Sequence, residues 1–199
     1  QHHGNQVLAV IKANAYGHGA LPCAKALSDI ADAFGVASLE EALRLREHGI
    51  HTPVLLMEGV FEGNEYRQTA HLKLETVIHS HWQIDALLSY PDTTPLHIPV
   101  WLKVDTGMHR LGFSLAELPA VYARLQASSH VSRLMLMTHF ARADEADPAS
   151  TEAQWHLFSQ MQAAIGQAAH AQASCANSAG IMAYPQSHTV WGRAGIVLY

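Results

Sequence analysis

Short apolar runs alternate with helix-like patterns from one end of the chain to the other. Runs rich in branched and long apolar residues predict strands over Val7–Lys12, Ala33–Ala37, Pro53–Met57, Glu75–His79, Ile98–Asp105, Leu134–His139, Ser174–Asn177 and Thr189–Trp191. The segments between most of them read as helices. Ser38-Leu-Glu-Glu41 has the form of a capping box, and the helix that it opens is expected to stop at His48-Gly49. Thr151-Glu-Ala-Gln154 opens another, in which Trp155, Phe158, Met161 and Ile165 form a one-sided apolar stripe suited to core packing. A further helix is expected over Glu62–Leu72. No linker or low-complexity segment interrupts the series, so residues 1–199 read as one domain.

Eight strands alternating with helices imply parallel pairing, in an open doubly wound sheet or a closed eight-stranded barrel. Lys12 ends the first strand, Lys103 and Asp105 the fifth, His139 the sixth and Asn177 the seventh, while Arg193 follows the eighth. An open sheet gathers its ligand near one switch point. Polar groups at so many strand ends converge most naturally on the mouth of an α/β barrel of the (β/α)8, TIM type.

Composition narrows the partners. The chain has 199 residues, 49% hydrophobic and 15% charged, enough for one full core. Its net charge of −5, without a basic cluster, argues against nucleic acid or an anionic membrane as partner. Nothing reads as a transmembrane span, and the opening Gln1-His-His-Gly-Asn5 has no basic flank leading into a signal-type segment. Cys23 and Cys175 stand alone, as expected for a reducing cytoplasm. The 15 histidines are scattered without metal-ligand spacing, so no metal is expected.

Five segments carry candidate chemistry. In Val7-Leu-Ala-Val-Ile-Lys-Ala-Asn-Ala-Tyr-Gly-His-Gly19 an apolar strand delivers Lys12 to a glycine-punctuated turn holding Tyr16. With its stem among apolar neighbours, such a lysine can have a lowered pKa and act as an amine nucleophile. In Trp101-Leu-Lys-Val-Asp-Thr-Gly-Met-His-Arg-Leu-Gly112, strand alternation puts Trp101, Lys103 and Asp105 on one face, and Arg110 emerges beyond the Gly107 turn. Asp105 could equally cap that turn while Arg110 faces solvent. In Leu134-Met-Leu-Met-Thr-His-Phe-Ala-Arg-Ala-Asp144, His139 shares a face with Met135 and Met137, while Arg142-Ala-Asp144 reads as a solvated loop. Ala176-Asn-Ser-Ala-Gly180 and Trp191-Gly-Arg-Ala-Gly-Ile-Val-Leu-Tyr199 combine a hydroxyl with free backbone N–H groups, suitable for a phosphate, although Asn177-Ser178 also fits a plain helix cap.

Lys-Ala-Asn-Ala-Tyr-Gly-His-Gly19 resembles the pyridoxal-phosphate lysine motif of bacterial alanine racemases, and the other four segments resemble that family in register. The resemblance implies pyridoxal 5′-phosphate held by Lys12, with Tyr16, Ser178, Gly195 and Ile196 on its phosphate, Asn177 beside it and Arg193 on its ring nitrogen. It implies Arg110 as the substrate-orienting arginine, Lys103 as a lysine carbamylated in some members, and His139 as the support of Arg193. The family commonly has proline where this chain has Ala194. An arginine at the ring nitrogen disfavours its protonation, which limits side reactions such as transamination.

The implied reaction is the two-base interconversion of L- and D-alanine, an isomerase activity tied to D-alanine biosynthesis and peptidoglycan precursors, by a cytoplasmic homodimer. Family members have a helix before the first strand and a C-terminal β-domain whose tyrosine is the second base across the dimer. Tyr66, Tyr90 and Tyr184 match nothing of that kind, so the 199 residues are expected to be the cofactor-binding barrel alone, weakly active or inactive by itself. A non-catalytic pyridoxal-phosphate homeostasis barrel lacks the two long motifs. Decarboxylases of the same barrel type prefer a carboxylate where Arg193 stands.

Overall fold

The computed structural model describes residues 5–166 and 173–199, so most of the opening Gln1-His-His-Gly-Asn5 lies outside the described residues. Each expected strand forms. They are β1 Gln6–Val10, β2 Ala33–Val36, β3 Val54–Leu56, β4 Glu75–Ile78, β5 Ile98–Lys103, β6 Val131–Met137, β7 Ala173–Ser174 and β8 Trp191–Ala194. Helices follow as α1 Ala20–Leu27, α2 Leu39–Glu47, α3 Glu65–His71, α4 His81–Leu88, α5 Leu118–Gln126, α6 Ala149–Ala164 and α7 Ser178–Ala183. The strands pair in parallel in the order β7-β6-β5-β4-β3-β2-β1-β8, so the sheet wraps until the last strand lies beside the first. Between β7 and β8 the seam is closed by the Arg193 N–H donating to Ala176 O at 3.0 Å and the Ser174 hydroxyl donating to Trp191 O at 2.9 Å. This is the expected TIM-type barrel.

Strand alternation sorts the apolar side chains into two cores. Leu8, Val10, Leu55, Val77, Trp101, Met135, Met137 and Trp191 fill the barrel interior. Their neighbours in sequence, such as Ala9, Val54, Ile78, Val100 and Leu136, pack outward against the helices. Low in the interior the Glu75 carboxylate accepts the Trp101 indole N–H at 2.6 Å and pairs with Arg133 at 2.7 Å. Burial raises the Glu75 pKa, and those two partners oppose the rise.

Several expectations need correction. Arg193 lies inside β8 rather than after it, because that strand begins at Trp191 and not at Thr189. β5 stops at Lys103, and Asp105 does not point into the barrel. It accepts the N–H groups of Gly107 at 2.9 Å and His109 at 3.0 Å, capping the turn. β7 is two residues long, and Asn177 lies beyond it as the cap of α7. The Ser38 side chain makes no capping bond, and α6 starts at Ala149, ahead of Thr151. Gln154 is buried and ties the end of β6 to the β5 loop, through Ala141 N–H, His139 O and Thr106 Oγ1. The apolar stripe of α6 does face the core, with Phe158 and Met161 buried.

Candidate active site

After β1 the backbone takes a turn that ordinary residues avoid. Ala13, Asn14, Ala15 and Tyr16 all have φ between 50° and 54°, a left-handed turn built without glycine. Each such residue costs about 1–2 kcal/mol, so outside contacts must hold the turn. Asn14 Oδ1 accepts the Ala20 N–H at 2.9 Å, Gly17 N–H donates back to Ala13 and Asn14, and Glu41 Oε1 accepts the Ala13 N–H at 2.8 Å. Two alanines keep the turn free of bulk, and it brings Lys12 and Tyr16 to one cavity.

That cavity, 340 Å³, opens where the strands end. It is lined by Lys12, Tyr16, Arg110, His139, Asn177, Ser178, Arg193, Gly195 and Ile196, together with Val10, Met57, Asp144 and Ala179. The structure thus brings together every expected site residue except Lys103, which is buried at the end of β5. A larger pocket of 640 Å³ lies at the opposite rim, beside Pro53, Glu75 and Ile98 at the starts of their strands. It collects none of the strand-end groups, so the chemistry belongs to the smaller cavity.

Arg193 organises the floor. Its guanidinium is buried and donates to Ser174 Oγ at 2.5 Å, Thr138 O at 2.6 Å and Cys175 O at 3.0 Å, with His139 Nδ1 at 3.5 Å. Its Nε is buried and has no hydrogen-bond partner among the described residues. Burial lowers the Arg193 pKa to about 10, which leaves it a cation at neutral pH. Burial and then the charges of Arg193 and Lys103 push the His139 pKa down to about 3, so this imidazole is neutral. Lys103 is lowered to about 8 by burial and by Arg193 and Arg110, with Glu58 opposing.

A second corner suits an anion. The Ser178 hydroxyl accepts N–H bonds from Gly195 at 3.0 Å and Val197 at 3.3 Å. A methyl group on Gly195 would come 3.0 Å from the Tyr16 hydroxyl and 3.6 Å from Ser178 Oγ, so the missing side chain leaves room for a ligand. Burial raises the Tyr16 pKa, which keeps the phenol protonated as a donor. Asn177 is committed as a helix cap, its Oδ1 accepting the Gly180 N–H at 3.0 Å. Arg110, itself exposed, reaches the cavity from the loop that follows β5.

Lys12 is less enclosed than its apolar strand suggests. A third of its side chain is exposed, and Nζ lies 3.7 Å from Glu58 Oε1. Sequence reasoning missed Glu58, although it directly follows the expected third strand. It also missed Asp144, set aside as solvated loop, and the contact from Glu41. Among the described residues no three His, Cys, Asp or Glu side chains gather as a metal site, and no helix is long and apolar enough to cross a membrane.

Comparison with known proteins agrees with this geometry. The family model "Alanine racemase, N-terminal domain" matches residues 1–199. A catabolic alanine racemase of Pseudomonas putida is 50% identical over 198 residues, covering 98% of this chain and 53% of that protein. An alanine racemase of Neisseria meningitidis is 44% identical, covering 99% and 54%. Among solved structures, the biosynthetic alanine racemase of Pseudomonas aeruginosa superposes with a TM-score of 0.90 at 44% identity, covering 98% of this chain and 53% of that one. The alanine racemase of E. faecalis gives 0.92 at 31% identity, covering 99% and 53%. The chain spans about half the length of the curated relatives that it matches.

Proposed function

The chain belongs to the alanine racemase N-terminal-domain family, and on that premise we propose that it holds pyridoxal 5′-phosphate in an enzyme interconverting L- and D-alanine. The observation that carries the reading is one cavity holding Lys12, which lies two residues past β1 rather than ending it, a buried arginine whose Nε–H has no partner among the described residues, and a hydroxyl-lined gap at Gly195. An unpartnered buried N–H calls for an acceptor, which a pyridine nitrogen supplies. The gap between Tyr16, Ser178 and Gly195 fits a phosphate, and the residues present therefore fit the cofactor.

When bound, pyridoxal phosphate supplies the electron sink for loss of the α proton of an amino acid. The protein's part is to hold, orient and move protons. Lys12 Nζ is the amine that would attach the cofactor and, once freed by the substrate amine, the base on one side of the Cα. Tyr16, Ser178 and the Gly195-Ile196 backbone would hold the phosphate. Arg193 would donate Nε–H to the ring nitrogen while its permanent charge disfavours a proton there. His139, uncharged, leaves that cation uncompensated.

Arg110 would pair with the substrate carboxylate. With a pKa near 8, buried Lys103 has a free-amine fraction able to attack carbon dioxide. The N–C bond would form as one C=O π bond of carbon dioxide opens onto its oxygen, the nitrogen would release a proton to solvent, and the resulting carbamate anion would position Arg110. Tyr16 lines the cavity beside Ser178 and Gly195, and the family resemblance implies a different tyrosine, outside this barrel, as the base for the opposite face. We assign it to the partner in a cytoplasmic homodimer that covers the mouth, where Ile196 is 64% exposed. The D-alanine produced would feed peptidoglycan precursors. Incubation with pyridoxal phosphate and each alanine enantiomer in D2O tests the reading. Deuterium should enter the α position, faster from D-alanine, and exchange no faster than with free cofactor would contradict it.

A further inference from the structure

We propose that Glu41 is a positioning residue for Lys12, fixing the left-handed turn that aims the lysine at the cavity. The inference rests on the reading that Lys12 holds the cofactor. Glu41 sits in the first turn of α2, 28 residues from the amide that it captures. Its Oε1 accepts the N–H of Ala13, the residue directly after Lys12, at 2.8 Å. Its Oε2 accepts the N–H of Ala37, just past β2, also at 2.8 Å. One carboxylate therefore ties the loop after β1 to the loop after β2.

Packing anchors the turn at Ala15, which is fully buried in the core, but Ala13, Asn14 and Tyr16 are exposed. A 450 Å³ cavity, lined by Ile11, Leu21, Val36 and Leu45 as well as Glu41, opens beside Ala13 and Asn14, so that half of the turn depends on hydrogen-bonded support. Four consecutive left-handed residues without glycine need such support, because L residues disfavour that region. Without the carboxylate, the amide after Lys12 loses its acceptor and the turn can relax toward ordinary backbone. Both oxygens meet N–H donors, so an amide cannot replace the carboxylate without opposing one donor to another. Glu40, its exposed neighbour, makes no contact with the turn among the described residues and provides a control of equal charge change.

The test compares the unsubstituted chain with Glu41→Gln and Glu40→Gln, each with a measured melting temperature. One readout is the rate at which pyridoxal phosphate becomes fixable to Lys12 by borohydride, and the other is hydrogen exchange of the Ala13 amide. Glu41→Gln should slow fixation and speed Ala13 exchange by about tenfold each, with exchange in the strands unchanged, while Glu40→Gln stays near the unsubstituted rates. Fixation and Ala13 exchange unchanged in Glu41→Gln would overturn the proposal. So would faster exchange spread evenly over all the strands, which marks general destabilisation. If Glu41→Gln does not fold, Glu41→Asp, with its shortened reach, takes its place under the same criteria. Absence of fixation in the unsubstituted chain would contradict the cofactor reading instead, and the Ala13 exchange would still decide whether Glu41 holds the turn.

Discussion

The imidazole Nδ1 of His139 lies 3.5 Å from Nη2 of Arg193, and burial together with the guanidinium charge holds that imidazole neutral. An imidazolium there would face Arg193, Lys103, Arg110 and Lys12 in turn. His139 is therefore a neutral support for Arg193.

Acid should expose this arrangement. The folded His139 pKa of about 3 lies below its ordinary 6.5, so the unfolded chain binds a proton across that window and the folded chain does not. The contribution is intact above pH 6.5 and is lost as pH falls toward 3. Between pH 7 and pH 4.5 the loss is about 2–3 kcal/mol. Urea unfolding of the protein and of His139→Gln at both values measures it, and the variant should lose less by that amount. Parallel losses would show that His139 is not held neutral.

Lys103 predicts the alkaline counterpart. Its folded pKa of about 8 is depressed from 10.5, so stability should rise with pH between those values and be lost as pH falls through 8. In buffer free of carbon dioxide, Lys103→Met should be more stable than the original at pH 7.5 by about 2–3 kcal/mol. The gap should close near pH 10.5. A pH-independent gap would mean that the ammonium is not penalised in the barrel.

Much of this was legible in the sequence, for an identifiable reason. Strand alternation placed Lys103 inward and Leu102 outward, and the barrel rule placed Lys12, His139 and Arg193 at one mouth. Alternation alone carries Asp105 inward, but of the two readings that the sequence leaves open the structure has the turn cap, because the chain leaves the sheet after Lys103. The strand expected over Thr189–Trp191 leaves Arg193 beyond its end, yet Arg193 pairs in β8 opposite Leu8. Glu41 was read through its local spacing to Ser38. In the structure it instead accepts the N–H of Ala37 and that of Ala13, and the Ala13 contact comes from the arrangement of two βα loops that no local pattern encodes.

Two glycines should separate backbone strain from steric conflict. Gly49 has φ of +77° with open space where a Cβ would sit, so Gly49→Ala should cost about 1 kcal/mol. Gly112 has φ of +121°, and a Cβ there would lie 2.7 Å from the Val104 carbonyl carbon and 2.8 Å from Asp105 N. Gly112→Ala should cost about 3 kcal/mol or more and displace the loop carrying Arg110. Thermal unfolding of both variants measures the difference, and equal losses would contradict the close approach seen at Gly112.

We propose this barrel mouth as a pyridoxal-phosphate site with Lys12 as the attached amine. Incubation with pyridoxal phosphate, reduction with borohydride and peptide mapping by mass spectrometry test it most directly. The reduced cofactor should be found on Lys12, in a peptide containing Ala13 to Tyr16, and Lys12→Ala should leave the chain unlabelled. Label on Lys25, Lys73 or Lys103 instead, or equal labelling of Lys12→Ala, would contradict the account.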